Sequence, residues 1–288
     1  MKLLFFKILM KLLNVIFKII YGVSYSTYKA TLTNRSFDSM TSILLWMHFS
    51  LKKKYPKFTI NNQHVAEIGA GQFLSHPIGL ILLGAKKVTT FDLYRQFNQK
   101  AAILSFNQQL MSKKILSAFA PSNKYSKIMD KINKSNFDLN ELENYGIQYI
   151  APFNINNYKE NECFDLIISY TVLEHVSNNK IPELIIKSVK TLKHGGYFCH
   201  FIDMEDHKDH DNNPFEFLSS NNWTETDCFF RGNRLRLNDW DKIFNQIQGI
   251  EYEFVSILER NEELLPKGIA RELNNYASGI LVIGKKLY

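Results

Sequence analysis

Short apolar runs alternate along the chain with stretches whose apolar residues recur every three or four positions. The runs predict strands at 64–68, 87–91, 147–150, 164–169 and 197–202, with late strands at 251–258 and 279–284. The periodic stretches predict helices at 36–51, 77–83, 95–111, 181–192 and 239–247. The run at 164–169 has a continuous apolar core, which suits a parallel strand covered on both faces. Strand–helix alternation of this kind implies an α/β fold with a doubly wound, mostly parallel sheet of seven strands. Two segments exceed a minimal crossover. The 54 residues between Asp92 and Ile147 predict a cap insert at 112–146, and a second insert is expected at 204–237. Inserts that leave the carboxyl ends of strands overhang the ligand crevice of such sheets, so the second is expected on the substrate side.

The N-terminus follows a different pattern. Within an apolar segment, Lys7, Lys11, Asn14 and Lys18 recur at helical spacing and form one polar stripe. Lysines inside the segment disfavour a spanning helix, each costing roughly 2.5–3.5 kcal/mol near a bilayer centre. Residues 1–22 are therefore read as an amphipathic helix lying on an anionic membrane face. Packing on the protein's own core or on a second subunit would select the same stripe. Residues 23–60 read as a helical basic extension, with 52–57 as a solvated connector, and 61–288 as the main domain.

Charge sharpens this division. Residues 1–60 carry ten Lys and Arg against Asp38 alone, a net +9, whereas the whole chain of 288 residues is +7. The main body is thus slightly acidic, which argues against a nucleic-acid-binding surface. The apolar fraction of 45% and charged fraction of 22% exclude a disordered chain and a polytopic membrane protein. Three scattered cysteines, Cys163, Cys199 and Cys228, imply free thiols in a reducing cytosol rather than a disulfide or zinc framework.

The chemistry starts at Glu67-Ile68-Gly69-Ala70-Gly71. Gly69 and Gly71 allow a tight turn and close approach of a ligand, and the next helix offers free N–H groups. Asp92 follows Gly71 by 21 residues at the end of the second predicted strand, where a carboxylate can accept both ribose hydroxyls of an adenosine. A nicotinamide dinucleotide site wants a third glycine, and Leu74 holds that place. Here the sequence resembles the class I S-adenosylmethionine-dependent methyltransferases, whose first motif reads Glu-x-Gly-x-Gly. The resemblance continues at Phe164-Asp165-Leu166-Ile167-Ile168-Ser169-Tyr170, through Leu173-Glu174-His175-Val176, to Leu192-Lys193-His194-Gly195-Gly196-Tyr197. It covers about residues 60–203 and implies a Rossmann-like sheet that binds S-adenosylmethionine. It also implies that Gly69 and Gly71 wrap the methionine and ribose, and that Glu67 lies near the amino group. Asp92, with Leu93 beside it, would hold the ribose; Ser169 and Tyr170 would line the path to the acceptor. Many family members carry an acid after the third strand, against the adenine; here Ile150-Ala151-Pro152-Phe153-Asn154 has none.

Methyl transfer to a hydroxyl needs a proton acceptor. His207, past the fifth predicted strand, with Asp203 and Asp206 to orient it, and His175, past the fourth, are the candidates. Asp206, Arg234 and Arg236 are candidates for gripping the substrate, the arginines through a phosphate or carboxylate. The run from Asp206 to Asp211, with His207 and His210, reads as a hydrated loop, and no metal is assigned because its ligand spacing is not diagnostic. The segments 200–207, 214–218 and 233–236 resemble a bacterial methyltransferase subgroup associated with surface glycoconjugates. The resemblance implies O-methylation of a saccharide or glycolipid precursor on the cytoplasmic side of a membrane. A methyltransferase for a quinone-like or other lipid-soluble molecule, and a membrane-attached scaffold with a vestigial cofactor fold, are the alternatives. The second would be favoured by loss of Gly69, Gly71 or Asp92, and all three are present. A DNA amino-methylating enzyme is disfavoured, because Ser169-Tyr170-Thr171-Val172 lacks the Asn/Asp-Pro-Pro-aromatic turn. Oligomeric state is not legible.

Overall fold

The computed structural model describes residues 2–33, 36–107 and 124–288. The described residues include seven strands in one sheet: β1 His64–Ile68, β2 Lys87–Phe91, β3 Ile147–Ile150, β4 Phe164–Tyr170, β5 Leu192–Asp203, β6 Ile250–Glu259 and β7 Ala277–Lys286. Their order is β3-β2-β1-β4-β5-β7-β6. Strand β1 runs parallel to β4, β2 to β3 and β4 to β5, whereas β7 is antiparallel to both β5 and β6. This is the mostly parallel α/β sheet expected. The chain divides into two compact units.

The first unit holds residues 1–52, 57–63 and 70–153. It contains β2, β3 and the helices α1 Lys2–Tyr21, α2 Tyr25–Leu32, α3 Phe37–Lys54 (to residue 52), α4 Ser75–Leu82, α5 Gln99–Asn107 and α6 Lys124–Ile132. All eight residues of α4 are buried, so its apolar sequence has no outward face to vary. Helix α5 starts four residues later than periodicity predicts, because Asn98 caps it: its Oδ1 accepts the Ala101 N–H at 3.0 Å. Its predicted end at 111, and residues 112–123 of the predicted cap insert, lie outside the described residues. Helix α3 continues through Lys54, three residues into the predicted connector.

Helix α1 departs from its predicted stripe at Asn14, whose Oδ1 accepts the Tyr25 N–H at 2.9 Å and so faces α2. Phe17 packs beside it against Tyr25 and Tyr28, with ring centroids 5.0 and 4.9 Å apart. Leu12, Val15, Ile16, Ile19 and Ile20 remain exposed at positions i, i+3, i+4, i+7 and i+8. Among the described residues, no helix is long and apolar enough to cross a membrane.

The second unit holds residues 53–56, 64–69 and 154–288. Its helices are α7 Ile181–Thr191, α8 Glu225–Arg231, α9 Leu237–Asn245 and the short α10 Leu273–Tyr276. Ile181, Ile185, Ser188 and Val189 form the buried face of α7, at the helical spacing of the sequence pattern. Strand β5 begins five residues earlier than predicted. Phe164 pairs with Leu192, the register then shifts, and Leu166 pairs with Tyr197, so 193–196 loop out of the ladder. Gly196 permits that loop, since a Cβ there would lie 2.9 Å from the Lys193 carbonyl oxygen. In the 204–237 segment, Phe215 and Phe217 are core residues packed with Leu265, whereas Phe229 and Phe230 are exposed.

Candidate active site

In the first unit, the turn after β1 and the end of β2 meet through backbone chemistry. Asp92 Oδ2 accepts the Gly71 N–H at 2.9 Å, and Oδ1 accepts the Tyr94 N–H at 3.1 Å. Gly71 has φ +60, and no atom lies within 4 Å of where its Cβ would be. Such a bare turn beside a carboxylate fits an adenosyl ligand. Leu74 starts α4 in the left-handed region at φ 54, a costly conformation for a branched side chain. Leu93 is exposed beside Asp92. Asp92→Ala is expected to weaken S-adenosylmethionine binding at least tenfold, or roughly 1.4 kcal/mol or more, in calorimetric titration. Unchanged affinity would remove Asp92 from the cofactor site.

The second unit carries the other predicted cofactor residues. Glu67 is buried on β1, opposite Ile168 of β4. Gly69 has φ +87, and a Cβ there would lie 2.3 Å from Val172 Cγ2, so this position admits glycine only. Tyr170 stacks on Phe201 with centroids 5.3 Å apart. The prediction for Ser169 needs correcting. Its side chain is fully buried and its Oγ lies 2.9 Å from His200 Nδ1, so the hydroxyl serves the β4–β5 interior and not an acceptor path. Burial pushes the His200 pKa down to about 3 and keeps that imidazole neutral. After β3, Asn154 Oδ1 accepts the Asn156 N–H at 2.9 Å, a local cap.

The predicted catalytic residues come together in this unit, at the carboxyl ends of β4 and β5. The His175 and His207 rings meet edge to face at 4.7 Å, and His207 stacks on His210 at 4.7 Å. His207 Nε2 is 3.6 Å from Asp203 Oδ2, beyond hydrogen-bond range. His207 Nε2 and His175 Nδ1 are buried atoms with no hydrogen-bond partner. Burial, with His207 close by, lowers the His175 pKa to about 4, so its ring is neutral near pH 7. Asp203, His207 and His210 present ligand-type atoms within 4.8 Å of one another, as do Glu174, His175 and His207.

The frame of this cluster was not legible in the sequence. Asn233 is buried, and its Nδ2 donates to the Leu173 and Val176 carbonyls, each at 3.0 Å, pinning the turn that carries His175. Glu205 Oε2 lies 2.8 Å from His210 Nδ1, and both Glu205 oxygens take Arg260 donors, at 2.7 and 3.0 Å. Burial raises the Glu205 pKa, but the His210 and Arg260 hydrogen bonds outweigh it and leave the carboxyl below its ordinary value. The hydrogen bond to Glu205 raises the His210 pKa. Asn233 stands in the Asn-Arg-Leu-Arg segment singled out by resemblance; Arg260 carried no signal.

All three predicted substrate-binding residues have structural partners instead. Asp206 is fully buried, forms a two-pronged ion pair with Arg231 and accepts the Lys208 N–H at 3.0 Å. It therefore neither orients His207 nor reaches a substrate. Arg236 is 5% exposed, and its guanidinium donates to the carbonyls of Met204, Asn274, Asn275 and Ala277. Burial lowers its pKa to about 10, still charged at neutral pH. Arg234 Nη1 donates to the Ser220 carbonyl at 2.6 Å and that of Phe217 at 3.2 Å, with the guanidinium 4.8 Å from the Trp223 ring centre. These arginines tie the 204–237 segment together because loop carbonyls lack ladder partners.

The family model of tellurite resistance protein TehB matches residues 119–238, fewer than half of the chain. That span includes β4, β5 and the whole imidazole cluster. No curated protein matches the chain. Similar solved structures include the YcgJ protein from Bacillus subtilis, at 13% identity over 84% of this chain and 99% of that one, with a TM-score of 0.46. An S-adenosylmethionine-dependent methyltransferase from Mesorhizobium loti is 14% identical over 81% of this chain and 95% of its own, with a TM-score of 0.41. Magnesium protoporphyrin IX methyltransferase from Synechocystis, solved with bound S-adenosylmethionine, is 9% identical over 85% and 78%, with a TM-score of 0.43.

Proposed function

We propose that this protein is an S-adenosylmethionine-dependent methyltransferase that methylates a hydroxyl of a saccharide or glycolipid precursor. The observation that carries the reading is the imidazole pair His175 and His207, at the carboxyl ends of β4 and β5, where ligands of such sheets bind. When bound, S-adenosylmethionine supplies a methyl group on a sulfonium, and its transfer to a hydroxyl releases one proton. An imidazole of the pair takes that proton, since each ring has a buried nitrogen without a hydrogen-bond partner. The exposed rings of Phe229 and Phe230 offer an apolar platform for a sugar face, with Phe229 6.5 Å from His175 between ring centroids. The test is incubation with methyl-labelled cofactor and a panel of nucleotide sugars and lipid-linked saccharides. Label in a base-stable ether on a sugar supports the reading; label only on nitrogen or carbon acceptors overturns it.

We also propose that α1 holds the protein peripherally on an anionic membrane face, on the cytoplasmic side. The exposed stripe Leu12, Val15, Ile16, Ile19 and Ile20, with exposed Lys11 and Lys18, supports this. Each aliphatic side chain fully buried on docking contributes roughly 1.5–3 kcal/mol. The doubly substituted Ile16→Glu, Ile19→Glu protein is expected to lose at least tenfold in co-sedimentation with phosphatidylserine-containing vesicles. Equal sedimentation of both proteins, or none by the unchanged protein, would overturn it. The same stripe favours the second reading, a quinone-like or other lipid-soluble acceptor, which methyl-labelled incubation with a quinol in detergent or vesicles tests: label on the quinol and none on the saccharides supports it.

A further inference from the structure

We infer that Asp203, His207 and His210 form a binding site for a divalent first-row transition metal ion. The inference rests on the geometry of these three side chains and not on the acceptor proposed above. They are brought together at the end of β5, with one ligand-type atom from each, all within 4.8 Å of one another. A tetrahedral ion with bonds of about 2.0–2.1 Å sets its ligands roughly 3.4 Å apart. The Asp203 Oδ2 to His207 Nε2 separation, 3.6 Å, is close to that edge without being a hydrogen bond. His207 Nε2 is also a buried nitrogen with no hydrogen-bond partner, a position an ion would satisfy.

The surroundings supply the second requirement of a metal site. A ligating imidazole is held through its other nitrogen by a carboxylate. Glu205 does this for His210, at 2.8 Å to Nδ1, and is itself held by Arg260. The Glu205 carboxylate is thus engaged on both oxygens and leaves Nε2 of His210 to coordinate. His207 is positioned through its backbone, whose N–H donates to the Arg231 carbonyl at 3.1 Å, while Arg231 is fixed by buried Asp206. Two imidazoles with one carboxylate select zinc, cobalt, iron or nickel over magnesium and calcium, which prefer all-oxygen sites. Three protein ligands leave positions open, so an acceptor hydroxyl can join the ion and become more acidic. His175, edge-on to His207, is then the imidazole that takes the proton.

Asp206, beside His207 in the chain, is not the carboxylate that completes this set. Asp206 is taken by Arg231, and Asp203 replaces it.

The test is titration of the chelator-stripped, tag-free full chain with Co2+, followed by visible ligand-field absorption and equilibrium dialysis, with neither cofactor nor acceptor present. Uptake of one ion per chain with a low-coordinate absorption band is expected. His207→Ala and His210→Gln should each lower Co2+ affinity at least tenfold, whereas His194→Ala, an exposed histidine outside the cluster, should leave it unchanged. His210 is half-exposed, so His210→Gln keeps the test valid if His207→Ala misfolds by circular dichroism. Absence of bound ion, or affinity unmoved by His210→Gln, overturns the site and leaves the methyl-transfer reading standing.

Discussion

Arg236→Ala is expected to lower the stability of the protein by about 4 kcal/mol, a large part of the 5–15 kcal/mol typical of a domain. The guanidinium donates to four carbonyls, those of Met204, Asn274, Asn275 and Ala277, and lies 5.4 Å from the Phe215 ring centre. Alanine strands those oxygens, each buried orphan costing roughly 1–3 kcal/mol before relaxation and water entry reduce the sum. Arg236→Lys should recover only part of the loss, because an ammonium cannot reproduce the planar fork. Urea denaturation reads the effect as a lower midpoint at unchanged slope. An unchanged midpoint with a raised acceptor KM would instead restore Arg236 to the substrate site.

His207→Ala is expected to reduce turnover by roughly 10²–10⁴-fold, the range for removal of a positioned acid–base group. Cofactor affinity should stay within about twofold, since His207 is read as acting on the acceptor and not on the cofactor. The ring stands between His175 and His210, and its loss removes the common member of both imidazole contacts. Single-turnover methyl transfer, with the acceptor identified by the labelled panel, is the measurement. Turnover within about threefold of the unchanged protein would remove His207 as the proton acceptor and leave His175 as the next candidate.

The parallel core was legible because β4 is apolar at successive positions, a pattern that only a strand covered on both faces requires. The glycine turn was legible for a related reason: Gly69 and Gly71 both have positive φ, which few other residues tolerate. Element ends were less so. Asn98 shortens α5 through a side-chain cap, and the four-residue excursion at 193–196 advances the start of β5; hydrophobic periodicity records neither. The aromatic residues of 204–237 looked alike in sequence, yet Phe215 and Phe217 are core and Phe229 and Phe230 are surface.

Local sequence determined the elements, the strand–helix alternation, the glycine turn with Asp92 at its distance, and histidines past β4 and β5. These depend on backbone dihedral preference and short-range periodicity, which neighbours in the chain settle. Only the tertiary structure decided which charged groups are free to act. Asp206, Arg234 and Arg236 lie beside His207 or α9 in sequence, but their partners stand 14 to 41 residues away and draw them into the frame. Asp203, His207 and His210 converge because Glu205 and Arg260, 55 residues apart, hold one imidazole while Arg231 holds the backbone of the next. A buried polar group must find a partner wherever the fold brings one, so its role is set by three-dimensional proximity and not by its place in the chain.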